Sequence, residues 1–138
     1  MLVGRSALLI RGPAGSGKSR LACALIEAGA SGLLPFARLV ADDRVHLFAA
    51  HGRLVARAPE PIAGRIEVRG LGIRAVAFES LALVGLVVDL AAADAARMPE
   101  QVARRTDLLG VSLSRLPVAA GESALPAVLA AISTVTQA

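Results

Sequence analysis

Aromatic residues, lysine and cysteine are all scarce in this chain of 138 residues. Three phenylalanines are its only aromatic residues, because it has neither tryptophan nor tyrosine. Proteins that bind single-stranded nucleic acid stack the bases on aromatic side chains, so this composition argues against that class. The 14 arginines are scattered and not clustered, although the formal net charge is +4. This pattern favours ordinary solubility over a nucleic-acid-binding patch.

The single cysteine, Cys23, excludes an internal disulfide and suits a reducing cytoplasm. Long apolar runs are absent as well, since the longest covers only residues 81–88. A membrane-spanning helix needs about 20 apolar residues. Residues 1–4 lead directly into a predicted strand, which does not resemble a signal peptide. We therefore expect a cytoplasmic protein without a membrane span, folded as one domain over residues 1–138.

The chain has one lysine, Lys18, and it lies in the segment Gly12-Pro13-Ala14-Gly15-Ser16-Gly17-Lys18-Ser19. This segment has the pattern G-x-x-x-x-G-K-S of the phosphate-binding P-loop. In such a loop, backbone N–H groups surround the phosphates, the lysine reaches the terminal phosphates and the serine hydroxyl binds Mg²⁺. A predicted strand over 7–10 precedes the segment and a predicted helix over 19–28 follows it. The sequence therefore predicts a nucleotide site at residues 12–19, with Lys18 as a catalytic residue.

Two adjacent carboxylates, Asp42 and Asp43, follow a predicted buried strand over residues 38–41. Side chains alternate along a strand, so one carboxylate could face a metal and the other an incoming hydroxyl. The alternative interpretation is a solvated turn. P-loop enzymes place an acid near Mg²⁺ at this point of the chain, which favours a functional pair. We predict that both residues are catalytic.

A third motif is Glu67-Val68-Arg69-Gly70-Leu71-Gly72. Glu67 and Arg69 are two positions apart, so an extended strand would place them on one face and Val68 on the core face. Gly70 and Gly72 leave room for a bulge or for a close approach of the backbone. By itself the pattern indicates a structural strand and turn as readily as a site.

The remaining segments predict an α/β fold whose middle part is rich in strands. We expect a hairpin over 45–50 and 53–58 around His51 and Gly52, and further strands over 66–68, 73–78 and 81–90. A helix is predicted over 91–105, interrupted at Pro99, and an extended segment over 110–118. A closing helix is predicted over 123–135, with Pro126 in its first turn.

The P-loop, the segment Leu39-Val40-Ala41-Asp42-Asp43 and the Glu67–Gly72 motif occur in this order and spacing in one known family. Over roughly residues 4–120 the chain resembles the catalytic C-terminal domain of bacterial HPr kinase/phosphorylase, in the short form that lacks the N-terminal domain. The resemblance implies a P-loop fold of the HPr kinase and PEP carboxykinase type with a β-rich central sheet. It also implies a homo-hexamer that uses ATP and Mg²⁺ to phosphorylate a serine of an HPr-like phosphocarrier protein. The reverse reaction would use inorganic phosphate to remove that phosphate as pyrophosphate.

The resemblance gives each motif a role. Residues 12–19 would bind the nucleotide, with Lys18 on the transferring phosphate, and Ser19 and Glu67 would hold Mg²⁺. Asp42 would accept the proton in the kinase direction and donate it in the reverse direction. The stretch shared by both reactions would include Arg69, Gly70 and Gly72. The family's catalytic arginine matches Arg97 best, ahead of Arg104 or Arg105, the alternative being a solvated arginine of a helix.

The sequence also departs from the family pattern. The family's V-R-P-G-R-N element aligns with Val118-Ala119-Ala120-Gly121-Glu122-Ser123, so both of its arginines are missing. A catalytic histidine upstream of the lysine would fall before residue 1, and Arg20 occupies a position that is usually glutamate. These departures suggest an alternative function, a nucleotide-sensing module without catalysis. A small-molecule P-loop kinase is a further alternative, although it would need an arginine-bearing lid that segment 45–78 does not resemble.

Overall fold

A computed structural model describes residues 1–133 of the chain as a mixed α/β fold. Its two helices are α1 (Lys18–Ala30) and α2 (Leu125–Ser133). Its strands are β1 (Leu2–Val3), β2 (Ser6–Arg11), β3 (Ala37–Arg38), β4 (His46–Ala50), β5 (Arg53–Arg57), β6 (Arg65–Val68), β7 (Gly72–Ala75), β8 (Leu81–Asp89), β9 (Arg105–Leu108) and β10 (Val111–Pro117). Short 3₁₀ turns lie at Glu60–Ile62 and Gln101–Arg104. Neither helix within residues 1–133 has the length and hydrophobicity that a membrane span requires.

Strand β8 is the centre of the main sheet, whose strand order is β3-β1-β2-β8-β10-β9. The second half of β8 pairs in parallel with β2 on one side and with β10 on the other. Its first half pairs antiparallel with β5, which attaches the β4–β5 hairpin. Parallel strands covered on both faces read as continuous apolar runs, which explains the sequence of β8. The carboxyl ends of β2, β8 and β10 therefore meet at one edge, where open α/β sheets bind ligands.

Apolar side chains cover both faces of this sheet. Because neighbouring residues of a strand point to opposite faces, Leu8 and Val88 pack on the face that holds α1 and α2. Ala7 and Val87 pack on the other face, against the β4–β5 hairpin. Helix α1 contributes the fully buried Leu25 to the first core, and truncating such a leucine to alanine costs about 2–5 kcal/mol. This packing fixes α1, and the loop before it, against the edge where the parallel strands end.

Most of the elements predicted from the sequence are present. The β4–β5 hairpin turns at His51 and Gly52, whose φ angles of 51° and 73° match the two-residue turn predicted there. The predicted extended segment 110–118 is β10, and β8 ends at Asp89, one residue before its predicted end. Strand β7 ends at Ala75, whereas the prediction carried it to 78. Helix α2 begins at Leu125 and is described to Ser133, and its predicted last residues, 134 and 135, lie outside the described part of the chain.

Two predicted elements are wrong. Residues 91–100 form turns in place of a helix, and Gln101–Arg104 and Arg105–Leu108 form a 3₁₀ turn and strand β9. Tertiary contacts outweigh the helical propensity of the alanines here, because β9 pairs with β10 and Ala91 adopts a left-handed φ of 53°. The predicted strand 38–41 is reduced to β3, at Ala37–Arg38, and a single bridge from Leu39 to Phe78.

Candidate functional site

The predicted P-loop connects the end of β2 to the first residue of α1, Lys18. A Cβ atom on Gly12 would lie 2.5 Å from Ser16 Oγ and 3.2 Å from the carbonyl oxygen of Leu90, so only glycine fits there. Gly15 and Gly17 have φ angles of 79° and 99°, in the left-handed region that glycine adopts without strain. The loop thus curves around the N-terminus of α1, whose free N–H groups and helix dipole favour an anion.

Two side chains of this loop suit a bound anion. The ammonium of Lys18 donates to the carbonyl oxygens of Gly12, at 2.6 Å, and of Pro13, at 3.4 Å, so it lies on the loop itself. Ser16 Oγ is buried and is the only buried side-chain polar atom of residues 1–133 that has no hydrogen-bond partner. Leaving such a group unpaired costs about 1–3 kcal/mol, which a bound phosphate oxygen would relieve.

The carboxylate of Asp42 brings the three predicted motifs together. Ser19 Oγ, at the start of α1, donates to Asp42 Oδ1 at 2.9 Å. The backbone N–H of Glu67, in β6, donates to Asp42 Oδ2 at 2.9 Å. A carboxylate has about four lone-pair positions, so Asp42 can still accept a proton from another group. The structure therefore places a carboxylate within one hydrogen bond of both the P-loop helix and the Glu67 strand.

Asp43 lies beside this contact and is exposed. A cavity of about 120 Å³ is lined by Lys18, Ser19, Asp42 and Asp43 on its polar side and by apolar residues of β2 and α1 on the other. The cavity thus combines a cation, a hydroxyl and two carboxylates beside the start of α1.

The residues at this site suit Mg²⁺ bound together with a nucleotide. Within residues 1–133, no three His, Cys, Asp or Glu side chains are arranged to hold a metal ion by themselves. Nucleotide-bound Mg²⁺ needs only one or two carboxylates, because phosphate oxygens and water complete its shell. Ser19 and Glu67, the two ligands that the resemblance implies, are both hydrogen-bonded to Asp42, Ser19 through its hydroxyl and Glu67 through its backbone. Their hydroxyl and carboxylate oxygens are the donor types that Mg²⁺ prefers.

The Glu67–Gly72 motif forms the β6–β7 hairpin. Ile66 and Val68 face the core, as predicted for Val68, and the Glu67 side chain is exposed on the opposite face. Strand β6 ends at Val68, so Arg69 lies in the turn and does not share a strand face with Glu67. The turn explains the two glycines, because Gly70 and Gly72 both have a φ of 86°.

The structure does not join Arg97 to the other predicted site residues. Arg97 is exposed in the turns of segment 91–100. Among residues 1–133, its side chain forms neither a hydrogen bond nor an ion pair with Lys18, Ser19 or Asp42. Of the two alternative arginines, Arg104 ends a 3₁₀ turn, and Arg105 donates to the hydroxyls of Ser112 and Ser114.

The sequence reasoning missed a charged network at the same edge of the sheet. Arg11, the residue before the P-loop, donates twice to the Asp89 carboxylate, at 2.6 and 2.7 Å, and Arg115 Nε donates to it at 2.6 Å. Burial by itself would raise the pKa of Asp89, but the hydrogen bonds and charges of the two arginines outweigh it and hold that pKa below its usual value. Arg115 also binds Asp94, and this pairing holds the pKa of the Asp94 carboxyl low. The pairing of Asp89 with Arg11 and Arg115 depends on the register of β2, β8 and β10, which the sequence does not show. The sequence did carry one signal, because Asp89 is a charged residue at the end of the apolar strand β8.

Known proteins resemble the chain in both sequence and fold. The family model described as HPr Serine kinase C-terminal domain matches residues 2–137. The HPr kinase/phosphorylases of Clostridium beijerinckii and Clostridium tetani are each 44% identical to it over 66 residues, or 48% of this chain. The matched stretch spans only 20% and 19% of those two proteins, about a fifth of their length.

A solved structure shows the same fold. The structure of the Hpr(Ser) kinase/phosphatase from Coxiella burnetii matches with a TM-score of 0.75 and 24% sequence identity, over 94% of this chain and 87% of that one. The predicted α/β P-loop fold with a central sheet is thereby confirmed. Because the family model covers nearly all of the sequence, the chain belongs to the family of HPr serine kinase C-terminal domains.

Proposed function

We propose that this chain uses ATP and Mg²⁺ to phosphorylate a serine of an HPr-like phosphocarrier protein. The observation that carries the proposal is the position of Asp42, whose carboxylate binds both the P-loop Ser19 and the backbone of Glu67. This position leaves Asp42 with spare acceptor positions beside the P-loop serine, as a general base requires. Membership in the family, and relatives named HPr kinase/phosphorylase, support HPr as the acceptor.

The P-loop residues would bind the phosphates of ATP. Backbone N–H groups of residues 14–17 and the N-terminus of α1 would surround the phosphates, and Ser16 Oγ would gain the partner that it lacks. Lys18 would move its ammonium from the Gly12 carbonyl to the transferring phosphate. Ser19 and Glu67 would hold Mg²⁺, which neutralises charge on the phosphate oxygens when it is bound.

The transfer step assigns Asp42 the role of general base. Asp42 accepts the proton of the serine hydroxyl, while the serine oxygen forms a bond to the γ-phosphorus. The bond between that phosphorus and the bridging oxygen breaks, so that ADP leaves and phosphoserine remains. Asp43, Arg69, Gly70 and Gly72 would shape the acceptor side, and Arg97 would contribute positive charge to the transferring group.

The reverse reaction has weaker support in this chain. In that direction an oxygen of inorganic phosphate would attack the phosphoserine phosphorus, pyrophosphate would form, and Asp42 would return the proton to the serine oxygen. Residues 118–123 directly follow β10. Because the Val118 N–H donates to the Asp89 carbonyl at 2.8 Å, this segment begins at the edge of the sheet where the parallel strands end. This segment lacks the two arginines that would bind phosphate. We therefore propose the kinase direction as the main activity.

A single-turnover assay tests the proposal. Radiolabelled ATP and Mg²⁺ are mixed with excess chain and with HPr from the same organism, and we expect label on HPr in the wild type only. Lys18→Ala should abolish both labelling and tight nucleotide binding. Binding of ATP by the wild type without transfer to HPr would support the nucleotide-sensing alternative. Transfer to a small molecule would support the small-molecule P-loop kinase.

The assembly and the location are further parts of the proposal. The family resemblance favours a hexamer of single-domain chains, which light scattering coupled to size exclusion would test by mass. A kinase that uses ATP and a phosphocarrier would act in the cytoplasm, where one cysteine stays reduced.

A further inference from the structure

Arg115, in the middle of β10, makes four hydrogen bonds with one guanidinium. Its Nε donates to Asp89 Oδ2 at 2.6 Å. Its Nη1 and Nη2 donate to the two carboxylate oxygens of Asp94, at 2.7 and 3.0 Å. Nη1 also donates to the carbonyl oxygen of Ala103 at 2.9 Å. An arginine has five N–H donors in a rigid planar arrangement, so these partners fix its orientation almost completely.

Two of these partners are the ends of one segment. Asp94 and Ala103 flank residues 95–102, which contain Arg97 and Met98 and form turns until the 3₁₀ turn at Gln101. The backbone hydrogen bonds that begin in this stretch are short-range, such as Ala95 N–H to Ala92 and Ala103 N–H to Glu100. A single side chain from a strand of the sheet therefore closes a segment that has no long helix to support it.

The third partner connects this segment to the P-loop. The Asp89 carboxylate is shared by Arg115 and Arg11, and Arg11 is followed directly by Gly12. The Leu90 N–H donates to the Arg11 carbonyl at 2.8 Å, which fixes the strand ends on the same side. The chain of contacts Arg11–Asp89–Arg115–Asp94 thus runs from the start of the phosphate loop to the segment that carries Arg97.

The solvent exposure of Asp94 indicates that its ion pair with Arg115 positions the segment and adds little to folding stability. The side chains of Arg115 and Asp89 are only 13% and 14% exposed, whereas that of Asp94 is 53% exposed. An ion pair with one exposed partner contributes little to folding stability. The fixed direction of its two parallel hydrogen bonds, however, restricts where the Asp94 end of the segment can lie.

We infer that Arg115 is a positioning residue that holds segment 94–103, and with it Arg97, in fixed register with the phosphate loop. The inference rests on the proposed function for the part played by Arg97. The position of the segment itself is independent of the proposed function, because it can be measured without an activity assay.

The test compares Arg115→Gln with Arg38→Gln, a matched control. Arg38 also pairs with a carboxylate, that of Glu79, but on β3, at the opposite end of the strand order. Hydrogen–deuterium exchange should show faster exchange of the amides of residues 94–103 in Arg115→Gln and not in Arg38→Gln. Asp94→Asn removes an exposed partner without disturbing Asp89, so it tests the segment even if Arg115→Gln folds poorly. We expect Asp94→Asn to speed exchange of the same amides.

Kinetics then test whether the segment acts through Arg97. A misplacement of about 1 Å can reduce a rate by up to about a hundredfold. We expect Arg115→Gln to lower kcat by about tenfold to a hundredfold with little change in KM for ATP, and Arg115→Lys to recover part of the loss. In an Arg97→Ala background, Arg115→Gln should lower kcat no further.

The outcomes separate this inference from the proposed function. Unchanged exchange of residues 94–103 in both Arg115→Gln and Asp94→Asn would overturn it, whatever the activity of the wild type. Faster exchange with an unchanged kcat, or equal losses of kcat with and without Arg97, would overturn the link to Arg97. If the wild type transfers no phosphate to HPr, the proposed function fails, and the exchange data still decide the role of Arg115.

Discussion

Replacing Asp42 by asparagine changes the group that connects the three motifs while preserving its shape. The Asp42 carboxylate accepts one hydrogen bond from Ser19 Oγ and one from the Glu67 N–H, both at 2.9 Å. The amide oxygen of asparagine can keep the bond to the backbone N–H, which cannot turn away. Its NH₂ group would then face Ser19, whose hydroxyl can rotate and accept. The variant should therefore keep both contacts but lose the negative charge and the ability to take a proton.

The expected effects on stability and on activity differ in size. Hydrogen bonds to a charged group contribute about 1.5–3 kcal/mol and neutral ones about 0.5–1.5 kcal/mol, so the unfolding free energy should fall by about 1–3 kcal/mol. A domain with a stability of about 5–15 kcal/mol remains folded after such a loss. Loss of a general base slows a reaction by about 10²–10⁴-fold, which corresponds to about 3–5 kcal/mol of transition-state stabilisation.

Urea unfolding and steady-state phosphate transfer measure the two effects on the same samples. We expect kcat to fall by at least about a hundredfold, while KM for ATP stays within about threefold. Asp107→Asn, a change of an exposed carboxylate on β9, serves as the control for removing one negative charge. Asp43→Asn shows which member of the pair takes the proton and should reduce kcat less than Asp42→Asn. The reasoning is refuted if Asp42→Asn transfers phosphate at nearly the wild-type rate.

Three further predictions use other parts of the structure. Gly12→Ala should weaken ATP binding in a titration far more than Gly121→Ala, because a new Cβ would meet atoms within 4 Å at Gly12 and none at Gly121. Equal affinities would contradict the predicted fit of the loop. Since the pKa of Asp89 is lowered in the folded protein, its stabilisation is complete above the unfolded value of about 3.9 and is lost as the pH falls through the folded value. Unfolding free energies measured below about pH 4 should thus fall more steeply for the wild type than for Asp89→Asn, and parallel curves would count against the ion pairs. Removing Mg²⁺ with a chelator should abolish transfer to HPr, and adding Mg²⁺ should restore it, whereas transfer that persists without Mg²⁺ would argue against Ser19 as a ligand.

Local sequence signals were sufficient for much of the fold and for the centre of the site. The P-loop pattern has a mechanism that depends on a preceding strand and a following helix, and both are present as β2 and α1. Likewise, a two-residue hairpin turn such as His51-Gly52 can adopt only a few backbone conformations, so both the β4–β5 hairpin and its turn could be predicted. The position of Asp42 after the second predicted strand also indicated its place near the P-loop, although the predicted strand itself was too long.

The parts that could not be predicted depend on contacts between distant residues. Segment 91–105 has the composition of a helix, but Arg115 binds Asp94 and Ala103, and β9 pairs with β10. No local pattern shows that a guanidinium more than ten residues away will close this segment. Similarly, the bond between Asp42 and the backbone of Glu67 joins residues 25 positions apart, and it follows only from the way in which β6 packs beside α1.

Identification of the phosphorylated residue on HPr tests the central claim most directly. The chain is incubated with ATP, Mg²⁺ and HPr, and the products are mapped by tandem mass spectrometry, with the Asp42→Asn variant and an HPr that lacks the acceptor serine as controls. We predict one phosphate on one serine of HPr with the wild type, and none on the HPr that lacks the acceptor serine. With Asp42→Asn, which still binds ATP, labelling of HPr should be slower by at least about a hundredfold. An HPr that stays unmodified by a wild-type chain with bound ATP would contradict the assignment of this site to phosphate transfer.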